Sequence, residues 1–304
     1  MKYVVVVGVL DKPESTNVSM ALAFIKEGYI VLPVNYRNFL AKHSQESFKE
    51  YLEYIVDAYK PELVLFSKCN GVNPSTVKSI TSKCKTWLWN MDDKQTILTC
   101  KEVMEHAKHS SFSSCTSLMT VDWFKENGVE NCHQIFEGVD TSIFKPVPAE
   151  EEHKTVVSFI GTKTDERELY KKRLSDEGIA AKFYGFGFEK EVYDKQFSQV
   201  CANSDVMLSL NVHNNVPFYF SDRLFRYMAC KVPVFHLDST GTLNKWFKDN
   251  EDIVYFSDLN DLIHKLNTTK PDTLSKIATN GYNKVIENHT WAKTVEQILT
   301  LTTE

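Results

Sequence analysis

"YVVVVGVL", residues 3–10, is a run of β-branched apolar residues reaching a glycine at position 8, the pattern of a strand buried on both faces of a parallel sheet. Outward from it, the loop "DKPESTN" leads into a helical stretch, "VSMALAFIKEG", and a second strand, "YIVLPVNY", so the chain opens as a βαβ unit. The alternation continues with a helix over Phe48 to Ala58, the strand "ELVLF" after Pro61, a helix over Pro74 to Lys83, the strand "TWLWN", a helix from Lys94 to Ala107, and a strand "HQIF" at 133–136. It breaks in "EGVDTSIFKPVPAEEEHK", where two prolines and the charges between Glu150 and Lys154 place a domain boundary at about 147 to 153. It then restarts with "TVVSFIG" (155–161), the charged helix "DERELYKKRLSDEG", the strand "IAAKFYGFG", a helix near 192–202, and the strands "DVMLSLNV", "VPVFHL" and "DIVYF". The fold class is therefore α/β, with two doubly wound halves that bind ligands at the carboxyl ends of their strands, in a cleft between them.

The totals agree with that division. At 304 residues the chain suits two domains of about 150 residues each. Hydrophobic residues at 42% and charged residues at 25% exclude disordered and fibrous classes. A net charge of -5 argues against wholesale wrapping of nucleic acid, although a local basic groove remains compatible with it. The seven cysteines are odd in number, scattered and never in C-x-x-C spacing, which fits reduced thiols. With no signal-like segment and no window of eighteen apolar residues, we expect a cytoplasmic protein without a membrane span.

Three stretches carry chemistry. The turn after "SFIG" offers Gly161 for close backbone approach, Thr162 or Thr164 as a helix cap, and free N–H groups suited to phosphate; an ordinary tight turn has the same composition. In "SDRLFRYMACKVPVF" (221–235), Ser221 or Asp222 caps a helix whose first turn holds Arg223 and Arg226. Each cation there is unfavourable by roughly 0.3–1 kcal/mol, so either a bound diphosphate or Asp222 and solvent must answer the charge. In "WLWNMDD" (87–93), a strand ends in Asp92 and Asp93, one of which would act as general base while capping of the next helix competes, most directly for Asp93. The sequence contains no Asp-x-Asp, the spacing that would hold a metal against a diphosphate, so we expect no metal and no cofactor, with arginines and helix N-termini carrying the phosphates. "HAKH" sets His106 and His109 three apart, which reads as an exposed helix face rather than half a metal site. The aromatics of "FYGFGF" and "NVPFYF" suit either a nucleobase or the core, and Asn211, His213, Asn214 and Asn215 form a polar loop expected to rim the cleft.

The succession "EGVDTSIFKP", "SFIGT", "FYGFG", "NSDVMLSLN", "SDRLFRYMACKVPVF", "EDIVYFSDLNDLIHKL" and the closing "NHTWAKTVEQIL" resembles the C-terminal half of GT-B glycosyltransferases, most of all the spore-maturation-type (CgeB-like) family. The compact layout also resembles the phage β-glucosyltransferases that modify hydroxymethylated cytosine in DNA. These resemblances imply a GT-B fold of two Rossmann-like domains: residues 1–147 on the acceptor side, 148–288 on the nucleotide-sugar side, and a helix over 289–304 crossing back to the first domain. They imply a metal-independent glycosyltransferase, with a UDP-sugar as donor and a hydroxyl acceptor that leans toward a modified DNA base. A polysaccharide, lipid or protein acceptor is the alternative, and a non-catalytic nucleotide-binding scaffold is the rival from another class. By resemblance, Asp92 or Asp93 is the base. Gly161, Thr162, Arg167, Arg173, Tyr184, Gly185, Ser221, Arg223 and Arg226 lie on the donor side, and Ser15, Thr16 and Asn17 face the acceptor. Two departures stand out: Arg226 occupies a position where these families carry a ribose-binding glutamate, and Lys231 replaces the glycine that ends the helix.

Overall fold

In the computed structural model, which describes every residue except 13, 14, 101 and 304, the four valines Val4 to Val7 are completely buried, and their alternation builds two cores. Val5 and Val7 point into one apolar cluster and Val4 and Val6 into another, as the two-residue period of a strand requires. The chain separates into two compact units, residues 1–138 with 291–304, and residues 139–290.

The first unit runs β1 (Lys2–Gly8), α1 (Thr16–Lys26), β2 (Tyr29–Asn35), α2 (Tyr36–Leu40), α3 (Gln45–Tyr59), β3 (Leu63–Ser67), α4 (Pro74–Thr81), β4 (Thr86–Trp89), α5 (Lys94–Ile97), α6 (Glu102–His109), β5 (Phe112–Cys115), α7 (Leu118–Glu126) and β6 (Cys132–Gln134). Its sheet is parallel, in the order β2-β1-β3-β4-β5-β6, with Lys2 opposite Tyr29 and Val4 opposite Leu63. One face is covered by residues such as Phe48, Leu52 and Ile55 of α3, whose spacing makes an apolar stripe, together with Val77, Val103 and Phe124. The other is covered by Met20 and Phe24 of α1 and by Trp291, Val295 and Ile298 of the last helix. The single helix expected over Lys94 to Ala107 is broken into α5 and α6. Asp93 caps a one-turn helix that closes with three-residue bonds from Thr99 to Thr96 and from Cys100 to Ile97.

The second unit contains β7 (Thr155–Ile160), α8 (Asp165–Asp176), β8 (Ala181–Tyr184), α9 (Asp194–Ala202), β9 (Ser204–Ser209), α10 (Arg223–Ala229), β10 (Val234–Leu237), β11 (Val254–Phe256), α11 (Leu259–Thr268) and α12 (Pro271–Asn288). Its five strands are parallel, in the order β11-β10-β9-β7-β8. The final helix, α13 (Trp291–Thr303), belongs to the first unit. The proline-bearing segment is part of the second unit, because Phe144 is buried edge-on against Phe197 of α9 and the Lys145 amide donates to the Ser198 hydroxyl. Among the described residues, no helix is long and apolar enough to cross a membrane.

Candidate functional site

At the carboxyl edge of the second sheet, two glycines let backbone strands approach each other. The Gly161 amide donates to the Tyr184 carbonyl at 2.8 Å. Gly185, at φ +121°, lies so close that a Cβ would overlap the Gly161 carbonyl oxygen and sit 2.7 Å from its carbon. Thr164 caps α8 by accepting from the Arg167 amide, and Arg167 then turns back under the turn.

Arg167 is 1% exposed and donates to the carbonyls of Thr162 (2.7 Å) and Leu210 (2.8 Å). Arg223, first residue of α10, donates to the same Leu210 carbonyl at 3.0 Å. Both guanidinium groups lie over the Phe159 ring, at 4.9 and 5.1 Å from its centroid. Burial and the Arg223 charge push Arg167 down to about 10, so it stays cationic at neutral pH at a cost. Its Nε is buried without a hydrogen-bond partner, and neither arginine is ion-paired among the described residues. Glu166 of α8 acts on Arg167 through its charge without pairing with it, and its carboxylate accepts from Asn214 at 3.0 Å. Two adjacent cations without an ion pair among the described residues thus lie beside a glycine turn, where an anion would be stabilised.

Tyr227 fastens α10 to the end of β7, its phenol accepting from the Ile160 amide at 2.8 Å and donating to the Ile160 carbonyl at 3.3 Å. His236 of β10 is fully buried and bonded to the Ser209 hydroxyl at 2.8 Å; burial pushes it down to about 4.

Other donor-side expectations separate from this cluster. Asp222 stands at the N-cap of α10 but does not cap it, pairing instead with Arg226 one turn on, while Arg226 also lies over the Phe144 ring at 4.9 Å. Of the two cations in that turn, Asp222 therefore answers Arg226, and Arg223 keeps its charge for the cluster. Ser221 sits behind the turn with its hydroxyl buried and without a hydrogen-bond partner, its amide donating to Asn211. Asn211 is itself 4% exposed and braces this turn, so it is not a rim residue. Arg173 lies near the far end of α8, half-exposed and paired with Glu177, apart from the Gly161 cluster. Tyr184 contributes its carbonyl, while its side chain lines a separate hollow of about 350 Å³ with Lys182, Lys190 and His153. Lys231 itself adopts the left-handed conformation (φ 58°) after α10, so the cap is made without glycine.

In the first unit the two aspartates divide. Asp93, 2% exposed, accepts from the amides of Gln95 (2.8 Å) and Thr96 (3.1 Å) and caps α5. Asp92 is partly exposed, and its Oδ1 accepts from Lys68 Nζ at 2.7 Å. Thr16 and Asn17 start α1 rather than lying in a loop. Asn17 fills the space left by Gly8, accepts from the Ser67 hydroxyl at 2.6 Å and, with Ser15, donates to the Val9 carbonyl. Ser15 and Asn17 therefore hold the turn together. His106 is fully buried on α6 and bonded to the Val72 carbonyl at 2.8 Å, contrary to the exposed face expected. Phe159, the Leu210 carbonyl and Lys68 escaped the sequence reading: a ring and a backbone oxygen leave no motif, and Lys68 belongs to no helical pattern. Among the described residues, no group of three or more His, Cys, Asp or Glu is placed to hold a metal ion.

Residues 157–300 match the family described as "Glycosyl transferase-like". No curated protein matches the sequence significantly. Among solved structures, the chain is similar to sucrose-phosphate synthase (tll1590) from Thermosynechococcus elongatus, with a TM-score of 0.69, 13% identity, and coverage of 99% of this chain and 98% of that one. It is similar to S. aureus MnaA in its UDP co-structure (TM-score 0.59, 12% identity, 100% and 98% covered). It is also similar to a mutant of T4 phage BGT in complex with UDP-glucose (TM-score 0.60, 12% identity, 99% of each chain covered). With its two parallel sheets, the chain has the GT-B fold, and residues 157–300, just under half of it, are similar to the glycosyl transferase-like family.

Proposed function

We propose that this chain transfers a sugar from a nucleoside diphosphate donor, a UDP-sugar, to a hydroxyl acceptor without a metal ion. The observation that carries the reading is the pair of arginines, Arg167 and Arg223, converging on the Leu210 carbonyl beside Gly161 with no ion pair to either among the described residues. A diphosphate brings the missing negative charge, and that charge grows as the sugar departs, so the same groups favour the transition state over the ground state.

In this reading Asp92 is the base. The acceptor hydroxyl gives its proton to the Asp92 carboxylate as its oxygen attacks the anomeric carbon. The bond from that carbon to the diphosphate breaks, and its electron pair leaves with the diphosphate onto the arginines. In-line attack inverts the anomeric centre. Asp93 is committed to capping α5, which supports assigning the base to its neighbour. The likeness to MnaA and to T4 phage BGT, each solved with UDP or UDP-glucose, supports uridine diphosphate as the carrier. For the acceptor we take a hydroxymethylated DNA base, following the resemblance to phage enzymes and the full-length likeness to T4 phage BGT.

Calorimetric titration with UDP is expected to show binding in the wild type and none in Arg167→Met or Arg223→Met. Labelled UDP-glucose with duplex DNA carrying 5-hydroxymethylcytosine should yield labelled DNA of inverted anomeric configuration. Label transferred to polysaccharide, lipid or protein moves the acceptor to that class. UDP binding with no turnover of any nucleotide sugar makes the chain a scaffold and removes the reading.

A further inference from the structure

Immediately after β3, Lys68 and Cys69 both adopt left-handed backbone conformations (φ 56° and 57°), although neither is glycine. Two such residues in succession are strained, and strain of this kind persists only where the surroundings hold it in place. Here they do so from several sides. The Lys68 amide donates to the Trp89 carbonyl of β4 at 2.8 Å. The Cys69 side chain is fully buried with its thiol directed at the Val7 carbonyl. The loop closes through the Val72 amide on the Cys69 carbonyl, and the Val72 carbonyl is held by the buried His106 of α6.

The next loop at the same sheet edge is equally constrained. Asn90, 1% exposed, donates to the Asp92 carbonyl at 3.0 Å, the Thr116 hydroxyl donates to the Met91 carbonyl at 3.2 Å, and Asp93 is fixed by its cap. Backbone is locked on both sides, yet the Asp92 side chain remains free to choose a rotamer. That carboxylate meets the Lys68 ammonium on Oδ1, 2.7 Å away, with the Lys68 and Asp92 side chains 32% and 23% exposed. A glycine at position 68 would make the same turn without strain. It would carry no ammonium.

We propose that Lys68 is the positioning residue of the base, its strained turn serving to deliver an ammonium to Oδ1 so that Oδ2 is aimed at the acceptor hydroxyl. This assignment rests on Asp92 being the base. It gives the lysine no contact with the donor, so its loss acts on turnover and not on donor affinity.

The test compares Lys68→Gly, Lys68→Met, Lys68→Arg and Asp92→Asn in the full chain, with UDP-glucose as the probe, water or hydroxymethylated DNA as acceptor, and UDP release as the signal. Lys68→Gly is expected to melt at or above the wild-type temperature while kcat falls at least 30-fold and KM for UDP-glucose stays within twofold. Lys68→Met should lose kcat equally, and Lys68→Arg should recover to within fivefold of wild type. Wild-type kcat in Lys68→Gly, or a melting point several degrees lower with kcat unchanged, overturns the positioning role and makes the pair a stability device. Turnover surviving in Asp92→Asn, or absent from the wild type, overturns the reading beneath it instead.

Discussion

Gly161→Ala should weaken donor binding by more than it weakens the fold. A Cβ at this position would lie 2.9 Å from Arg223 Nη2, 3.1 Å from its Cζ and 2.9 Å from the Phe159 ring tip. Ordinary contact is about 3.5–4 Å, so the guanidinium must retreat by roughly half an ångström to an ångström. It can do so, being the end of a flexible side chain, but retreat breaks its 3.0 Å bond to Leu210 and moves it off the diphosphate. One charge-assisted hydrogen bond is worth about 1.5–3 kcal/mol, which corresponds to a loss of UDP affinity of about 10- to 150-fold. The fold loses an overpacking cost of about 1–3 kcal/mol at most, the part against Arg223 relieved by that retreat and the part against the buried Phe159 ring remaining. Gly185→Ala makes the opposite case. Its Cβ would meet the Gly161 backbone at φ +121°, where no side chain can yield. Left-handed strain and overpacking together come to about 2–5 kcal/mol, or roughly 5–20 °C of melting temperature. Calorimetric titration with UDP and differential scanning calorimetry on both variants decide the matter. UDP affinity within twofold of wild type in Gly161→Ala, or equal destabilisation by the two alanines, would refute the reasoning.

Three further outcomes follow from the same structure. Asp93→Ala should lose about 1–2 kcal/mol of stability with turnover per folded molecule retained, whereas Asp92→Asn should keep its melting point and lose kcat by at least about 100-fold; urea melts and initial rates separate the two. Lys231→Gly should stabilise the protein by about 0.5–1 kcal/mol, because glycine takes the left-handed position after α10 without strain, and a rise in the urea midpoint checks it. His236 and His289 are both held down to about 4 by burial, so between pH 6.5 and 4 the unfolded chain binds protons that the native chain refuses. Stability is therefore full above pH 6.5 and lost as pH falls toward 4, by roughly 3 kcal/mol per histidine, and urea melts at pH 7 and 4.5 should show a smaller drop in His236→Gln than in wild type.

The strands were legible because four consecutive valines admit few other readings, and a run closing on glycine recurs at 155–161. The break between α5 and α6 was not, since it depends on a cap and a three-residue closure that helical periodicity ignores. The prolines at 146 and 148 suggested a boundary that lies earlier, because Phe144 has its pocket in the second unit. Arg223 could be named from its place at a helix start, whereas Arg167 was named only through the family resemblance, its helix reading otherwise as a solvated face. That Asp222 would answer Arg226, leaving Arg223 its charge, required knowing which way each side chain turns. Lys68 was invisible for a stronger reason: its left-handed backbone is imposed by the neighbouring strand and a distant histidine, and no local preference of lysine predicts it.

The return of α13 to the first sheet bears on how the molecule is made. Trp291, Val295 and Ile298 close the cluster that holds Met20, Phe24 and Trp89, and Lys85 reaches the Thr302 carbonyl. During synthesis the first unit therefore waits, with one apolar face covered by α1 alone, while some 150 residues of the second are added. The second unit has all its strands by residue 256 and can fold as it leaves the ribosome. The part of the chain that is made first is thus the last to be finished, and its partly covered face during that interval is where chaperones and aggregation would compete for it.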